Sequence, residues 1–254
     1  MKSKHINIAA VTAMLLLMFS LLISAFQIAI YGDVRYRFYE KEYEKYKVQE
    51  DLLMEMDQIM AVTSHMMSYL VGKEESLSIV TDVDGMEQDF FNDQDRLHMS
   101  DVQKLFIGGL KFRNTALIIC FSILIVLVLL KTDLWRVLPR AFLIGCIIFA
   151  TLVGIVGGLF AMDFNKYFTI FHEIFFTNDL WMFDYETDYM IRMLPEAFFA
   201  DMVFRIGKFF FGMLGIVAMF FLILYFIGCY KLKKRQNCDK LLKDKNPNIT
   251  EEKQ

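Results

Sequence analysis

The chain has 254 residues, 56% of them hydrophobic and 15% aromatic, with a formal net charge of -3. Mean hydropathy is positive and charge gathers in a few stretches, which excludes an ordinary soluble domain. Four apolar runs, 6–31, 112–130, 139–162 and 208–229, each reach the roughly 20 residues that cross about 30 Å of hydrocarbon as a helix, and none holds an acid.

The first run follows Lys2 and Lys4 and is too long for the apolar core of a signal peptide, so it reads as an uncleaved anchor. In 36–48, Phe38, Tyr39, Tyr43 and Tyr46 recur at helical spacing, which fits either a helix on the membrane surface or a cap helix with an aromatic core face. Leu52, Met56, Ile59, Met60, Thr63, Met67 and Leu70 then predict one helix ended by Gly72. His65 within it reads as structural. Residues 77–81 and 87–91 flank Asp84-Gly85, a β-hairpin signal. Ser100 before Asp101-Val102-Gln103 predicts an N-cap for a helix running on into the second run. His98 would then lie just before the helix N-terminus, whose partial positive charge keeps the ring a neutral base.

In the third run Gly154 and Gly158 form a small-xxx-small pair that predicts close approach of another helix. Residues 164–176 read as a short amphipathic helix carrying His172, and Asn178-Asp179 as a turn followed by Trp181, Phe183 and Tyr185 at alternate positions. Residues 190–194 and Pro195-Glu196 re-enter helix toward the fourth run. Beyond Lys231 the tail is basic, then polar, and reads as disordered or surface-bound; its Asn248-Ile249-Thr250 sequon is discounted as cytoplasmic.

Lys and Arg mark the cytoplasmic side. They flank the first run, crowd the 131–140 connection and follow the fourth run, whereas 32–111 and 163–207 carry about twice as many acids as bases. Both termini are therefore expected inside. The expected division is a first transmembrane helix 1–31, an extracellular cap 32–111, spans 112–130 and 139–162, a second cap part 163–207, a fourth span 208–229 and a cytoplasmic tail 230–254. Lys111, Arg113, Arg205 and Lys208 stand at outer helix ends, where they can snorkel to lipid phosphates. Cys120, Cys146 and Cys229 lie within spans and Cys238 in the tail, so no disulfide framework supports the cap. The fold class is thus an all-α integral membrane protein: four transmembrane helices under an extracellular cap of short helices and a small β-hairpin.

GxSxG, HExxH, Walker A, GxGxxG and CxxC motifs are all absent, so serine hydrolases, zincins and nucleotide enzymes lack their usual residues. Chemistry is left to His98 with Asp101, and to His172 with Glu173, Asn178, Asp179, Asp184 and Asp188. A carboxylate beside a histidine can fix its tautomer and stabilise its cation. Such a set could also hold a metal, although HxxxH and HxH spacings are missing. The same aromatic and histidine residues also read as an interfacial belt.

Arg96-Leu97-His98-Met99-x-Asp101-Val102-x-x-Leu105-Phe106, Phe171-His172-x-x-Phe175-Phe176-x-Asn178-x-x-Trp181-x-x-Asp184, Asp188 and Pro195-Glu196-x-Phe198-Phe199 together resemble the bacterial lipoprotein intramolecular transacylase (Lit) family. The resemblance runs from the first apolar run to the fourth. Tyr185 stands where many relatives have proline. The resemblance implies an enzyme of the bacterial cell membrane that moves the sn-2 acyl chain of a diacylglyceryl lipoprotein to the α-amino group of its N-terminal cysteine, giving the lyso form. It implies His98 and His172 as the catalytic pair. His172 is assigned to the amine and His98 to the leaving oxygen. Phe175, Phe176, Trp181 and Tyr185 are expected in the pocket wall, Asn178 as an oxyanion donor and Asp101 as the orienter of His98. No metal or other cofactor is expected. The expected partners are lipoproteins with a free N-terminal cysteine and membrane lipids, with no nucleic acid, and the chain is expected to be a monomer. The alternative of another class is a non-catalytic membrane sensor or lipoprotein-binding protein.

Overall fold

A computed structural model describes residues 2–245; the sequon at Asn248 lies outside them. Four helices are long and apolar enough to cross a membrane: α1 (Lys2–Tyr31), α5 (Asp93–Leu129), α6 (Leu134–Met162) and α9 (Glu196–Lys245). Between α1 and α5 come α2 (Arg37–Lys45), α3 (Val48–Leu52), α4 (Met56–Leu70) and the antiparallel strands β1 (Val80–Val83) and β2 (Met86–Asp89). Between α6 and α9 come α7 (Phe164–Phe175) and α8 (Tyr189–Met193).

The first helix is the hub of the bundle, packing against α5, α6 and α9. Small side chains on its buried face, Ala10, Ala13, Ala25 and Ala29, let the neighbours approach, and Met14 and Met18 fill what remains. A Cβ on Gly145 of α6 would lie 3.2 Å from the Met14 Cβ, so glycine sits at the closest crossing. Gly154 and Gly158, by contrast, have nothing within 4 Å of such a Cβ. The packed face of α6 runs through Phe142, Gly145 and Phe149 at helical steps, which turns the expected small-residue pair away from every neighbour.

The cap is built on α2 and α4. Tyr39 and Tyr43 are buried, which makes α2 a cap helix with an aromatic core face. Tyr43 Oη donates to Thr63 Oγ1 at 2.8 Å, and Thr63 in turn donates to the Ile59 carbonyl. Leu52 belongs to separate α3, because Leu53 adopts a left-handed conformation (φ 50°) and α4 restarts with a Glu55–Gln58 capping box. Its far end closes as expected, with Gly72 at φ 75° and Lys73 N donating to Ser68 O. In the hairpin, Val80 faces Asp89 and Val83 faces Met86, and both turn residues, Asp84 and Gly85, have positive φ, as a two-residue hairpin turn requires.

Two boundaries differ from expectation. The helix leading into the second run starts at Asp93, capped by Asn92, whose side chain accepts from Asp95 N while Asp95 accepts from Asn92 N. Ser100 and His98 are therefore inside α5, and no helix terminus acts on the His98 ring. The fourth helix does not end near Cys229 but continues through Lys245, so the segment read as disordered or surface-bound is helical over its described part.

Candidate active site

Two elements deliver the histidines. The second turn of α5 carries His98, in the part of that helix that precedes the apolar run, and α7 carries His172 in its last turn. Aromatic spacing shapes α7: Phe164, Phe168, Phe171 and Phe175 stack along it at three- and four-residue steps. The two imidazoles meet with ring centroids 6.0 Å apart and planes inclined by 31°.

Aromatic rings enclose the pair. His98 lies against Phe176 at 5.1 Å and Phe183 at 5.3 Å, both edge-on. His172 stacks on Trp181 at 5.0 Å and meets the edge of Phe168 at 4.5 Å. His172 Nδ1 lies 2.8 Å from the Phe168 carbonyl, which can only accept, so Nδ1 carries the proton and Nε2 is left with a lone pair. His98 is 5% exposed, and its Nδ1 has no partner among the described residues.

Burial fixes the charge of both rings. His98 is pulled down to about 4, first by desolvation and then by the neighbouring His172. His172 is also lowered by burial, against an opposing pull from its bond to Phe168. The expected neutrality of His98 is therefore present, but its cause is burial. At neutral pH the pocket presents two uncharged imidazoles.

The carboxylates occupy supporting positions. Asp101 Oδ2 accepts from Asn178 Nδ2 at 3.0 Å and Oδ1 pairs with Lys104, which together hold it below the usual carboxylate range. It makes no hydrogen bond to His98. Asn178 also accepts from Leu180 N, so Asp101 and Asn178 fasten the loop after α7 to α5. Asp188 is buried and joins Asn92 Nδ2 to Asp184 N, bracing the start of the histidine helix. Glu173, Asp179 and Asp184 are exposed. Among the described residues no three His, Cys, Asp or Glu side chains gather closely enough to hold a metal ion.

Of the expected wall residues, Phe176 and Trp181 touch the histidines. Phe175 is 52% exposed and stacks on Phe171 outside the pocket, while Tyr185 Oη donates to Asp51 across the cap. The alternation that pointed to Tyr185 stops at Phe183, since hydrogen bonds from Glu186 N and Thr187 N back to Asp184 turn the chain there. Phe168 and Phe183 are wall residues that the sequence reading passed over. Their signals were present: Phe168 lies one turn before His172, and Phe183 alternates with Trp181.

The model of the family described as lipoprotein intramolecular transacylase Lit matches residues 11–199. Three solved structures of the membrane-integral transacylase Lit from Bacillus cereus share the fold. One, at 22% identity and a TM-score of 0.64, covers 92% of this chain and 97% of its own. A variant with one histidine replaced by arginine aligns at 21% identity and a TM-score of 0.65, covering 93% and 96% of the two chains. A histidine-to-alanine variant gives 21%, 0.65, 92% and 97%. Among curated proteins, no sequence matches. Four membrane helices, a helical cap with one small hairpin, and a family match across most of the chain agree: this chain belongs to the Lit family of lipoprotein intramolecular transacylases.

Proposed function

We propose that the cap faces the outside of a bacterial cell membrane and that His98 and His172 transfer the sn-2 acyl chain of a diacylglyceryl lipoprotein to the α-amino group of its N-terminal cysteine. The observation that carries this reading is the meeting of two neutral imidazoles from separate elements inside one aromatic pocket. Attack of the amine on the ester closes a ring of about eight members, so the main task is to fold the substrate back on itself; of the roughly 7–11 kcal/mol available from positioning, a confined pocket can supply a large part.

The free α-amino group ionises near 7.7–8.0, so roughly a tenth of it is neutral amine at pH 7 and the rest needs to lose only a loosely held proton. As nitrogen bonds to the carbonyl carbon, its proton passes to the free Nε2 of His172, whose tautomer is held by Phe168. As the ester C–O bond breaks, the proton taken up by His172 is relayed through His98 to the glyceryl oxygen, so that both rings end neutral. One N–C bond forms, one C–O bond breaks, and the proton count is unchanged. Asp101 and Asn178 serve this reaction as a clamp on the loop that carries Trp181.

Replacing either histidine, His98→Ala or His172→Ala, is expected to slow transfer by about a hundred- to ten-thousand-fold with membrane insertion intact. The readout is mass spectrometry of a lipoprotein's N-terminal lipopeptide from cells lacking other N-acylating enzymes. Wild type converts it to an N-acylated, O-lyso form of unchanged total mass. An untouched diacylglyceryl form despite good expression would reject the reading.

A further inference from the structure

Sharing no residue with the histidine pocket, α1, α2 and α9 border two adjoining open pockets of about 510 and 570 Å3 that together form a groove. Phe38, Arg205 and Phe209 line both. Arg205 is half-buried between them and is fixed from three sides. Its Nε donates to the Ala29 carbonyl at 3.0 Å, one of the last acceptors of α1, and its guanidinium lies 4.4 Å from the Phe38 ring centroid and 5.4 Å from that of Phe209. Lys41 lines the first cavity and Lys208 the second.

The charges here do not balance. Among the described residues, Arg205, Lys41 and Lys208 form no ion pair with a carboxylate, because the carboxylates beside them are held by other cations. Asp33 pairs with Arg37 at 2.9 Å, and Glu42 and Asp201 both pair with Lys45. Arg37, Lys41, Lys45, Arg205 and Lys208 thus stand against Asp33, Glu42 and Asp201, an excess of two positive charges around the groove, at the level where α1 ends and the fourth apolar run begins. That is the border between hydrocarbon and headgroups on the cap side. A guanidinium held there without a counter-ion is costly; the rest of the lining is apolar at Ile28, Phe204 and Phe209 and charged at Arg37 and at Asp33, Glu42 and Asp201, whose carboxylates are already engaged in ion pairs.

We propose that this groove binds the phosphodiester of an anionic glycerophospholipid from the cap-side leaflet. Arg205 provides the fixed donor and Lys41 and Lys208 the flanking charges, while the acyl chains descend along Ile28 and Phe209. A phosphodiester answers the fork of a guanidinium, and the apolar walls distinguish a lipid from free phosphate. With the carboxylates of Asp33, Glu42 and Asp201 already paired, the net positive charge favours an anionic headgroup over a zwitterionic one.

The test uses the full chain in nanodiscs of equimolar phosphatidylglycerol and phosphatidylcholine, released and weighed by native mass spectrometry. Wild type is expected to emerge with phosphatidylglycerol enriched among its bound lipids. Lys41→Gln/Lys208→Gln alters only exposed side chains and keeps the Arg205 anchor, and its enrichment is expected to fall by about fivefold for each charge removed. Equal retention of the two lipids by wild type, or equal enrichment in the double variant, would overturn the proposal. So would wild type in detergent binding inorganic phosphate as tightly as phosphatidylglycerol, which would assign the groove to the free ion.

Discussion

The Nδ1 of His172 is committed to the Phe168 carbonyl and its ring to the face of Trp181, so one side chain is oriented by a hydrogen bond and a stack together. Trp181→Ala removes the stack and leaves the hydrogen bond. It is expected to lower turnover by about a hundredfold through misplacement of the ring, while Tyr185→Ala, at a side chain bonded to Asp51 far across the cap, leaves turnover near wild type. Initial rates of lipopeptide conversion by the two purified variants decide this. The pH profile follows from the same burial. Both histidines are held below their ordinary value, His98 at about 4, so at neutral pH both are uncharged. Above neutral pH the substrate amine is the group left to titrate, and kcat/KM is expected to rise about tenfold per pH unit from roughly pH 6.5 to pH 7.5 and then level. A second unit of slope appearing near the ordinary histidine value would mean that the rings are solvated. His98 and His172 stood out in the sequence because few other residues could move protons. Their aromatic neighbours did not, since phenylalanine is so common in this chain that Phe183 looked no different from Phe175.

The start of α5 shows how an element can be legible in kind and hidden in extent. Its apolar part is evident from run length, but residues 93–104 are mixed and charged, and the expected cap, Ser100, lies eight residues past the observed one, Asn92. Tertiary contact decides between them: Asn92 is braced by buried Asp188, whereas Ser100 has no such support. The hairpin needed no such help, because Asp84-Gly85 specifies its turn locally. At the third position of α5, Asp95 is fully buried and pushed up to about 7, by desolvation above all and then by Asp188. The folded protein thus holds a proton that the unfolded chain has already released. The stability owed to this group is present at low pH and is lost as pH rises through about 7. Asp95→Asn keeps an oxygen to accept from Asn92 N and carries no charge. Its melting temperature is expected to gain on wild type progressively from about pH 4 to pH 7 and to keep a constant lead above that, measured by thermal unfolding in detergent.

At the scale of the whole molecule, one helix, α1, organises the other three spans, and the sequence gives no sign of which run would be central. Run length marks every span equally, while the hub is set by which small side chains face which neighbours. A Cβ on Gly154 or Gly158, the glycine pair, would meet nothing within 4 Å, whereas Gly145, four residues after buried Ala141, sits on Met14. Gly145→Leu is expected to cost about 1–3 kcal/mol through overpacking, and Gly154→Leu almost nothing; thermal stability of the two variants in detergent measures the difference. The unbroken run of α5 from Asp93 to Leu129 also ties the chemistry to the membrane. With about 1.5 Å of rise per residue, His98 stands roughly 20 Å along that helix above Phe112, and no break in the helix lets the ring descend. For the proposed reaction, an ester carried at the border of the hydrocarbon would have to rise to the histidines, past the exposed apolar side chains of Ile174 and Phe175. That rise would shorten in a thicker bilayer and lengthen in a thinner one, so the rate of the proposed acyl transfer is expected to depend on the thickness of the surrounding membrane.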